Sequence, residues 1–228
     1  MGLTTTEHSP GVYFIEGEGQ RLLATRNLAL GRKVYGEELI EIGGVEYRLW
    51  NPSRSKLGAA IMKGLRNNPI VPGSKVLYLG VASGTTCSHV SDIIGKFGHV
   101  WGVDFAPRPI RDLIDHVARY RKNISPILGD ARQPQGYSLQ VPKVEVLFAD
   151  VAQPDQAEIV VKNAKLFLKK SGYAMFSIKS RSIDVSREPV EIFREQVRFL
   201  EASGLSVEEL VELDPFEKDH ALALASLV

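Results

Sequence analysis

Lys75-Val76-Leu77-Tyr78-Leu79-Gly80-Val81-Ala82-Ser83-Gly84-Thr85-Thr86 opens the stretch, Lys75 to Ala131, whose reading decides the fold. Val76 to Leu79 is a short apolar run, and Gly80 to Thr86 is a turn of small residues. A helical segment is expected from about Cys87. A second apolar run, His99-Val100-Trp101-Gly102-Val103, ends in Asp104, and a third, Ile124 to Leu128, ends in Gly129-Asp130-Ala131. Small residues at the first turn let main chain approach a ligand closely. An acid at the end of the next strand, roughly twenty residues on, is placed to accept hydrogen bonds from ribose hydroxyls. Asp130 adds another acceptor at the same sheet edge. Together these features describe a pocket for a nucleoside.

The turn also narrows the kind of nucleoside. A phosphate-binding loop ends in Gly-Lys-Ser/Thr, which is missing. The dinucleotide fingerprint needs Gly-x-Gly-x-x-Gly, whereas this turn reads Gly80-x-x-x-Gly84. Two glycines without a phosphate signature suit a cofactor that carries no phosphate, and S-adenosylmethionine is the common one.

Around this stretch the chain changes texture once. Before it, Val12 to Ile15, Arg21 to Thr25 and Val45 to Trp50 read as strands, with turns at Gly17-Glu18-Gly19 and Gly43-Gly44. They make a small antiparallel β domain over residues 1–54. Ser55 reads as the N-cap of a helix from Lys56 to about Leu65. From residue 55 to 228 strands and helices alternate, as in a mostly parallel sheet covered on both faces. The fourth and fifth strands are Val144 to Ala149 and Tyr173 to Ile178. Helices are expected at about 107–122, 154–170 and 188–203. Ile110, Leu113, Ile114, Val117 and Tyr120 form the apolar stripe of the first. No helix fits between Val207–Leu213 and Ala221–Val228, so these two runs form a hairpin and one strand is antiparallel. The fold class is therefore α/β: a Rossmann-like, seven-stranded S-adenosylmethionine-dependent methyltransferase fold with an antiparallel C-terminal hairpin, preceded by the small β domain.

Composition excludes several classes. The 228 residues are 44% hydrophobic and 24% charged, which suits a packed core rather than disorder. No apolar run approaches membrane-spanning length, and the amino-terminal residues Met1 to Glu7 do not read as a signal peptide. One cysteine, Cys87, forbids an internal disulfide and fits a cytoplasmic setting. The five histidines are scattered, without metal-ligand spacing. Net charge is +1, although a protein that grips nucleic acid alone usually has a clear basic excess. Either the substrate is not nucleic acid, or binding is shared with partners or a guide strand.

Ligands of open α/β sheets sit at the carboxyl ends of the strands. Asp150 ends the fourth strand and Lys179 the fifth. His220 begins the last strand, which reaches the same edge if it runs antiparallel. Lys56 opens the helix before the first strand. Four ionisable residues can thus converge beside the glycine turn.

The motifs carry a family resemblance. Gly80 to Asp92, Asn51-Pro52-Ser53-Arg54-Ser55-Lys56-Leu57 and Ala149-Asp150-Val151-Ala152-Gln153-Pro154 resemble fibrillarin, as do Ser177-Ile178-Lys179 and Phe216-Glu217-Lys218-Asp219-His220. The resemblance spans the whole chain. Without a Gly/Arg-rich tail, the chain is similar to the archaeal fibrillarin-like form. Val81 and Cys87 stand where alanine and valine are common. The resemblance implies S-adenosylmethionine-dependent 2′-O-methylation of ribose in rRNA and tRNA, directed by box C/D guide RNA. It implies a catalytic set of Lys56, Asp150, Lys179 and His220. The implied cofactor set is Gly80, Ser83, Gly84, Thr85 and Thr86 at the turn, Asp104 and Phe105, Asp130 and Ala131, and Asp150, Val151, Ala152 and Gln153. The implied partners are a Nop-domain scaffold protein and a kink-turn-binding subunit related to a ribosomal protein.

Chemistry gives these residues roles to test. A ribose hydroxyl is a poor nucleophile and loses its proton as it attacks. A lysine serves as base only where burial or a neighbouring cation favours its neutral form. Lys179 is the expected acceptor or orienter of the 2′-hydroxyl proton. Asp150 is expected to align the lysines, and Lys56 and His220 to position ribose and phosphate. Two alternatives remain open at this point: a methyltransferase acting on protein glutamine or a small molecule, and a scaffold that has kept only the fold.

Overall fold

Alternating strand residues send their side chains to opposite faces, and that rule accounts for the layering of this chain. A computed structural model describes residues 3–17 and 19–228. Met1, Gly2 and Glu18 of the expected first turn lie outside the described residues.

The amino-terminal sheet is antiparallel. It contains β1 (Thr4–Ser9), β2 (Val12–Gly17), β3 (Gln20–Arg26), β4 (Leu39–Ile42) and β5 (Val45–Leu49), in the order β1-β2-β3-β5-β4. β2, β3 and β5 match the expected strands, whereas β1 and β4 are additional. β1 is polar and mostly exposed, so no apolar alternation announces it; pairing with β2, Thr4 opposite Glu16, makes it a strand. β4 is folded back on β5 by Gly43 and Gly44, whose φ angles of 60° and 76° suit the tight hairpin turn that matches strand twist.

The second sheet contains β6 (Lys75–Leu79), β7 (His99–Asp104), β8 (Ile124–Leu128), β9 (Val144–Ala149), β10 (Leu168–Lys179), β11 (Leu205–Glu212) and β12 (His220–Leu227). Its order is β11-β12-β10-β9-β6-β7-β8. Every pair from β10 through β9, β6 and β7 to β8 is parallel, and β12 runs antiparallel to both β10 and β11. This is the expected mostly parallel sheet with a C-terminal hairpin. The chain leaves β6 for β7 and β8, then returns to β9 on the other side of β6. That reversal opens a crevice at the carboxyl edge.

Among the described residues, six α-helices connect the strands: α1 (Lys56–Met62), α2 (Thr85–Ile94), α3 (Pro107–His116), α4 (Gln156–Phe167), α5 (Ser180–Ile183) and α6 (Pro189–Ala202). On β6, Val76 and Tyr78 face one core and Leu77 and Leu79 the other. The first core also takes Leu57 and Ile61 of α1, Val90 and Ile94 of α2, and Val12, Phe14 and Leu23 of the amino-terminal sheet. The second holds Ile159, Val160 and Phe167 of α4 with Phe193 and Leu200 of α6.

Helix ends differ from the periodicity reading. α1 stops before Leu65, because Gly64 turns the chain with φ of 92°. α2 starts at Thr85, ahead of Cys87. α3 ends at His116 rather than near 122 and gives way to a 3-10 turn, Ala118–Tyr120. Ile114 and Tyr120 of the expected stripe are exposed. That ending turns Arg121 inward to Asp92, where its guanidinium is buried.

Asp92 is the centre of a buried polar network between the two sheets. Arg48 Nη1 donates to Asp92 Oδ2 at 2.7 Å, Thr25 Oγ1 donates to the same oxygen at 2.8 Å, and Arg121 pairs with Oδ1. Arg48 also reaches Glu37 and Ser88, each at 2.8 Å. Among the described residues, no helix is long and apolar enough to cross a membrane.

Candidate active site

The glycine turn is built by close packing. Gly80 takes φ of 74°, and a Cβ there would stand 2.7 Å from the Asp150 carbonyl oxygen. Gly84 takes φ of 94°, and a Cβ there would meet Leu113 of α3 at 2.5 Å. Sequence reasoning gave the small residues a ligand to approach. Among protein atoms, the close neighbours of an added Cβ are the end of β9 and the flank of α3, so the packing of the turn by itself also requires glycine here.

Asp104 ends β7 with both oxygens on main-chain donors. Ala82 N–H reaches Oδ2 and Ala106 N–H reaches Oδ1, each at 3.0 Å. Each oxygen keeps a second lone pair for a ligand hydroxyl. Asp130 Oδ1 accepts the Arg132 N–H at 2.9 Å.

These strand ends enclose a cleft of about 450 Å³, within the ~300–1,000 Å³ usual for small-molecule sites. Gly80, Asp104, Phe105, Ala131, Asp150, Val151, Ala152 and Gln153 of the expected cofactor set line it. Ala82, Val103, Gly129 and Arg132 line it as well. Sequence reasoning assigned these four no role, although Ala82 and Gly129 lie inside the quoted turns and Arg132 is adjacent to Ala131. Five expected residues do not line this cleft. Gly84 packs on α3, and Thr86 donates to Ser55 Oγ at 3.0 Å. Ser83 and Thr85 border a neighbouring polar pocket with Tyr35, Arg54 and His116. Asp130 turns one oxygen to its own loop.

Three of the four expected catalytic side chains meet directly. Lys179 Nζ lies 2.8 Å from Asp150 Oδ1 and donates to the Asp150 main-chain oxygen at 2.9 Å. The hydrogen-bond alignment favours the main-chain oxygen. Oδ1 is buried without an aligned donor, so its contact with Lys179 is chiefly Coulombic. Lys56 Nζ stands 3.8 Å from the same Oδ1. His220 faces Lys179 across the β10–β12 pair. Its Nδ1 lies 2.7 Å from the Lys218 carbonyl, which can only accept, so Nδ1 carries a proton.

Two further residues hold this cluster, and periodicity carries no signal for either. Gln156, fully buried at the start of α4, accepts the Lys179 N–H at 2.9 Å and donates to the main-chain oxygens of Gln153 and Lys179. Glu217 Oε1 lies 3.5 Å from Lys56 Nζ, and its other oxygen lies 4.0 Å from His220 Nδ1. Under the site, burial first and the Asp150 charge second push the Tyr78 hydroxyl well above its ordinary range.

The donor set suits an adenosyl sulfonium. Gln153 Oε1 is buried without a protein donor and lines the cleft. Asp104 offers carboxylate lone pairs, and Phe105, Val103 and Val151 supply apolar walls. Asp104, Phe105, Ala131 and Gln153 would hold the nucleoside, with Asp150 toward the charged end. A second cavity of about 420 Å³ lies between the amino-terminal sheet and α1, lined by Leu23, Trp50 and Met62 among others. It contains no residue from the carboxyl edge of the parallel strands, and the chemistry lies at that edge.

Known proteins resemble this chain along almost its whole length. The profile of the family described as Fibrillarin matches residues 3–227. The fibrillarin-like rRNA/tRNA 2′-O-methyltransferase of Thermococcus gammatolerans is 59% identical over 214 residues, covering 93% of this chain and 94% of the relative. The crystal structure of Aeropyrum pernix fibrillarin in complex with natively bound S-adenosyl-L-methionine superimposes with a TM-score of 0.91 at 50% identity, covering 98% of this chain and 99% of that one. The structure of a fibrillarin/Nop5p complex superimposes with a TM-score of 0.87 at 37% identity, covering 98% and 100%.

Proposed function

Because the chain belongs to the fibrillarin family, we propose that it is the methyl-transferring subunit of a guided ribonucleoprotein. It is an S-adenosylmethionine-dependent 2′-O-methyltransferase of rRNA and tRNA. A Nop-domain protein is its scaffold. Box C/D guide RNA selects the nucleotide, and a kink-turn-binding subunit related to a ribosomal protein completes the particle. The net charge of +1 suits a subunit that receives its RNA from such partners.

The observation that carries the mechanism is the contact of Lys179 with Asp150 beside the nucleoside cleft. When bound, the cofactor supplies an electrophilic methyl group on a sulfonium. Asp150 fixes the Lys179 ammonium through its carboxylate and its main-chain oxygen. Gln156 fixes the Lys179 main chain, so the side chain projects from a held strand end. Lys179 orients the ribose 2′-hydroxyl as its oxygen attacks the methyl group; once its ammonium has given a proton to Asp150, the resulting amine takes the hydroxyl proton. Lys56, steadied by Glu217 and Asp150, and His220, held through Nδ1 by the Lys218 carbonyl, hold the ribose and adjoining phosphate.

The test is methyl incorporation from labelled S-adenosylmethionine into rRNA and tRNA fragments. It is run with and without guide RNA, scaffold and kink-turn protein, and the product is mapped to ribose or base. Label on the ribose of the guide-paired nucleotide, dependent on the assembled particle, is expected. Label on base or protein, or full turnover by the isolated chain, would overturn the reading.

A further inference from the structure

The two walls at the nucleoside end of the cleft belong to distant strands. Gly129, Ala131 and Arg132 follow β8, while Val151, Ala152 and Gln153 follow β9. β6 and β7 lie between these strands in the sheet. Three strand spacings put the two strands about 14 Å apart. Sheet hydrogen bonds do not join the loops beyond the strand ends, so the width of the slot depends on what crosses it.

One side-chain pair joins the outer part of these loops. Arg132 Nε donates to Asp155 Oδ2 at 2.8 Å, and Arg132 Nη2 donates to Oδ1 at 2.7 Å. The planar fork fixes orientation as well as distance. Asp155 holds the N-cap position of α4, where an acidic side chain ordinarily accepts a first-turn N–H. It makes no such bond here. Its carboxylate is turned to Arg132 instead. Arg132 is aimed by its own main chain, since its N–H is held by Asp130. Deeper in the same wall, buried Asn163 of α4 donates to the Ala131 carbonyl at 2.8 Å. The fork is thus the outer fastening of a wall whose inner fastening is Asn163. Both partners of the fork are partly exposed, at 42% and 32%, where an ion pair adds little to stability. A stabilising role alone does not explain a carboxylate withdrawn from its helix cap.

We propose that the Arg132–Asp155 fork is a strap across the nucleoside end of the cleft that sets how tightly and how long the adenosyl cofactor is held. The inference rests on the cleft being the S-adenosylmethionine site. Arg132 and Asp155 are positioning residues, acting by holding Ala131 and Gln153 at the separation an adenine ring needs. Opening the strap parts the walls for entry and release.

The experiment measures S-adenosylmethionine and S-adenosylhomocysteine binding by calorimetry, and release by competition, on the full chain. The variants are Arg132→Gln, Asp155→Asn and Asp155→Glu. Loss of the fork in either of the first two is expected to weaken binding roughly tenfold and to speed release. Asp155→Glu keeps a carboxylate and is expected to recover most of the affinity. In the assembled particle the loss falls on the cofactor KM rather than on kcat. Unchanged affinity and release in both charge-neutral variants would overturn the strap. So would weakened binding that follows a matching loss of thermal stability and is not restored by Asp155→Glu. Failure of the unaltered chain to bind either ligand would instead overturn the cofactor reading itself.

Discussion

Lys179 and His89 show how differently an ionisable side chain can be used. Lys179 sits at a strand end, partly exposed, with Asp150 as its counter-charge. Lys179→Ala is expected to lower methyl transfer by at least ~10²-fold, the scale of positioned proton transfer, and to leave S-adenosylmethionine affinity nearly unchanged. Single-turnover transfer and calorimetric binding on the same preparation check this, and full activity would remove Lys179 from the chemistry. His89 is fully buried, stacked on Trp50 with ring centroids 4.7 Å apart. Burial first, then the charges of Arg48 and Arg121, hold its pKa well below 6.5. It is therefore neutral. The one proton of Thr25 goes to Asp92, so His89 Nδ1 donates to Thr25 and Nε2 accepts from Tyr35, both at 2.8 Å. The unfolded chain takes up a proton near pH 6.5 that this folded site refuses. The resulting stability is complete above pH 6.5 and lost as pH falls below it, by up to ~1.4 kcal/mol per pH unit. Denaturant unfolding between pH 7 and 5 is expected to show a slope that is shallower by about that amount in His89→Gln. Equal slopes would mean that His89 titrates normally in the fold. Cys87 is buried, and burial pushes its thiol up to about 12, so it serves as a packing residue rather than a nucleophile.

At the level of elements, turns and caps position the chemistry. Ser55 is the N-cap of α1, accepting the Gly58 N–H at 3.2 Å, and it also receives the Thr86 hydroxyl from the start of α2. One side chain therefore fixes the residue before Lys56 and ties two helices. Ser55→Ala is expected to cost about 1 kcal/mol of stability and to lower kcat by loosening Lys56. A variant with wild-type kcat would show that the cap is structural only. The turn after β6 is less forgiving. Gly80→Ala places a Cβ against the Asp150 main chain at a positive φ. A loss of ~1–3 kcal/mol is expected, together with a displaced Asp150 and much reduced methyl transfer. Unfolding curves and cofactor binding on the same variant separate the two effects.

Across the whole molecule, the amino-terminal sheet is joined to the larger one by shared core and buried charge. Val12, Phe14 and Leu23 belong to the first core. Asp92 pairs with two buried guanidinium groups, Arg48 from the small sheet and Arg121 from beyond α3, and buried Glu37 supplies the second negative charge through Arg48. Removing one partner of a buried ion pair leaves an uncompensated charge and costs about 3–5 kcal/mol. Asp92→Ala is expected at the upper end of that range, measured by chemical denaturation. Residues 55–228 expressed alone would expose Asp92, His89 and Arg121 together and are expected not to fold to a cooperative state. A cooperative thermal transition in that fragment would show that the two sheets are energetically separate.

Much of this protein is legible in its order of residues. The run from Lys75 to Ala131 carries strand, turn, helix and acid at spacings that suit a parallel sheet, and the hairpin follows from the lack of helical periodicity between residues 207 and 228. Local chemistry determines these features, so a sequence can state them: apolar alternation, glycine at positive φ, an acid at a strand end. Contacts between residues far apart in the chain are another matter. Nothing in the periodicity marks His89, Arg48 and Arg121 as buried around Asp92, because a charged residue in a sequence reads as solvated until its partner is known. The same holds for Gln156 beneath Lys179 and for Arg132 forked to Asp155. Their roles depend on which strand lies beside which and on where α3 stops. Only the packed tertiary structure decides this, since burial and pairing are properties of the assembled sheet and its helices.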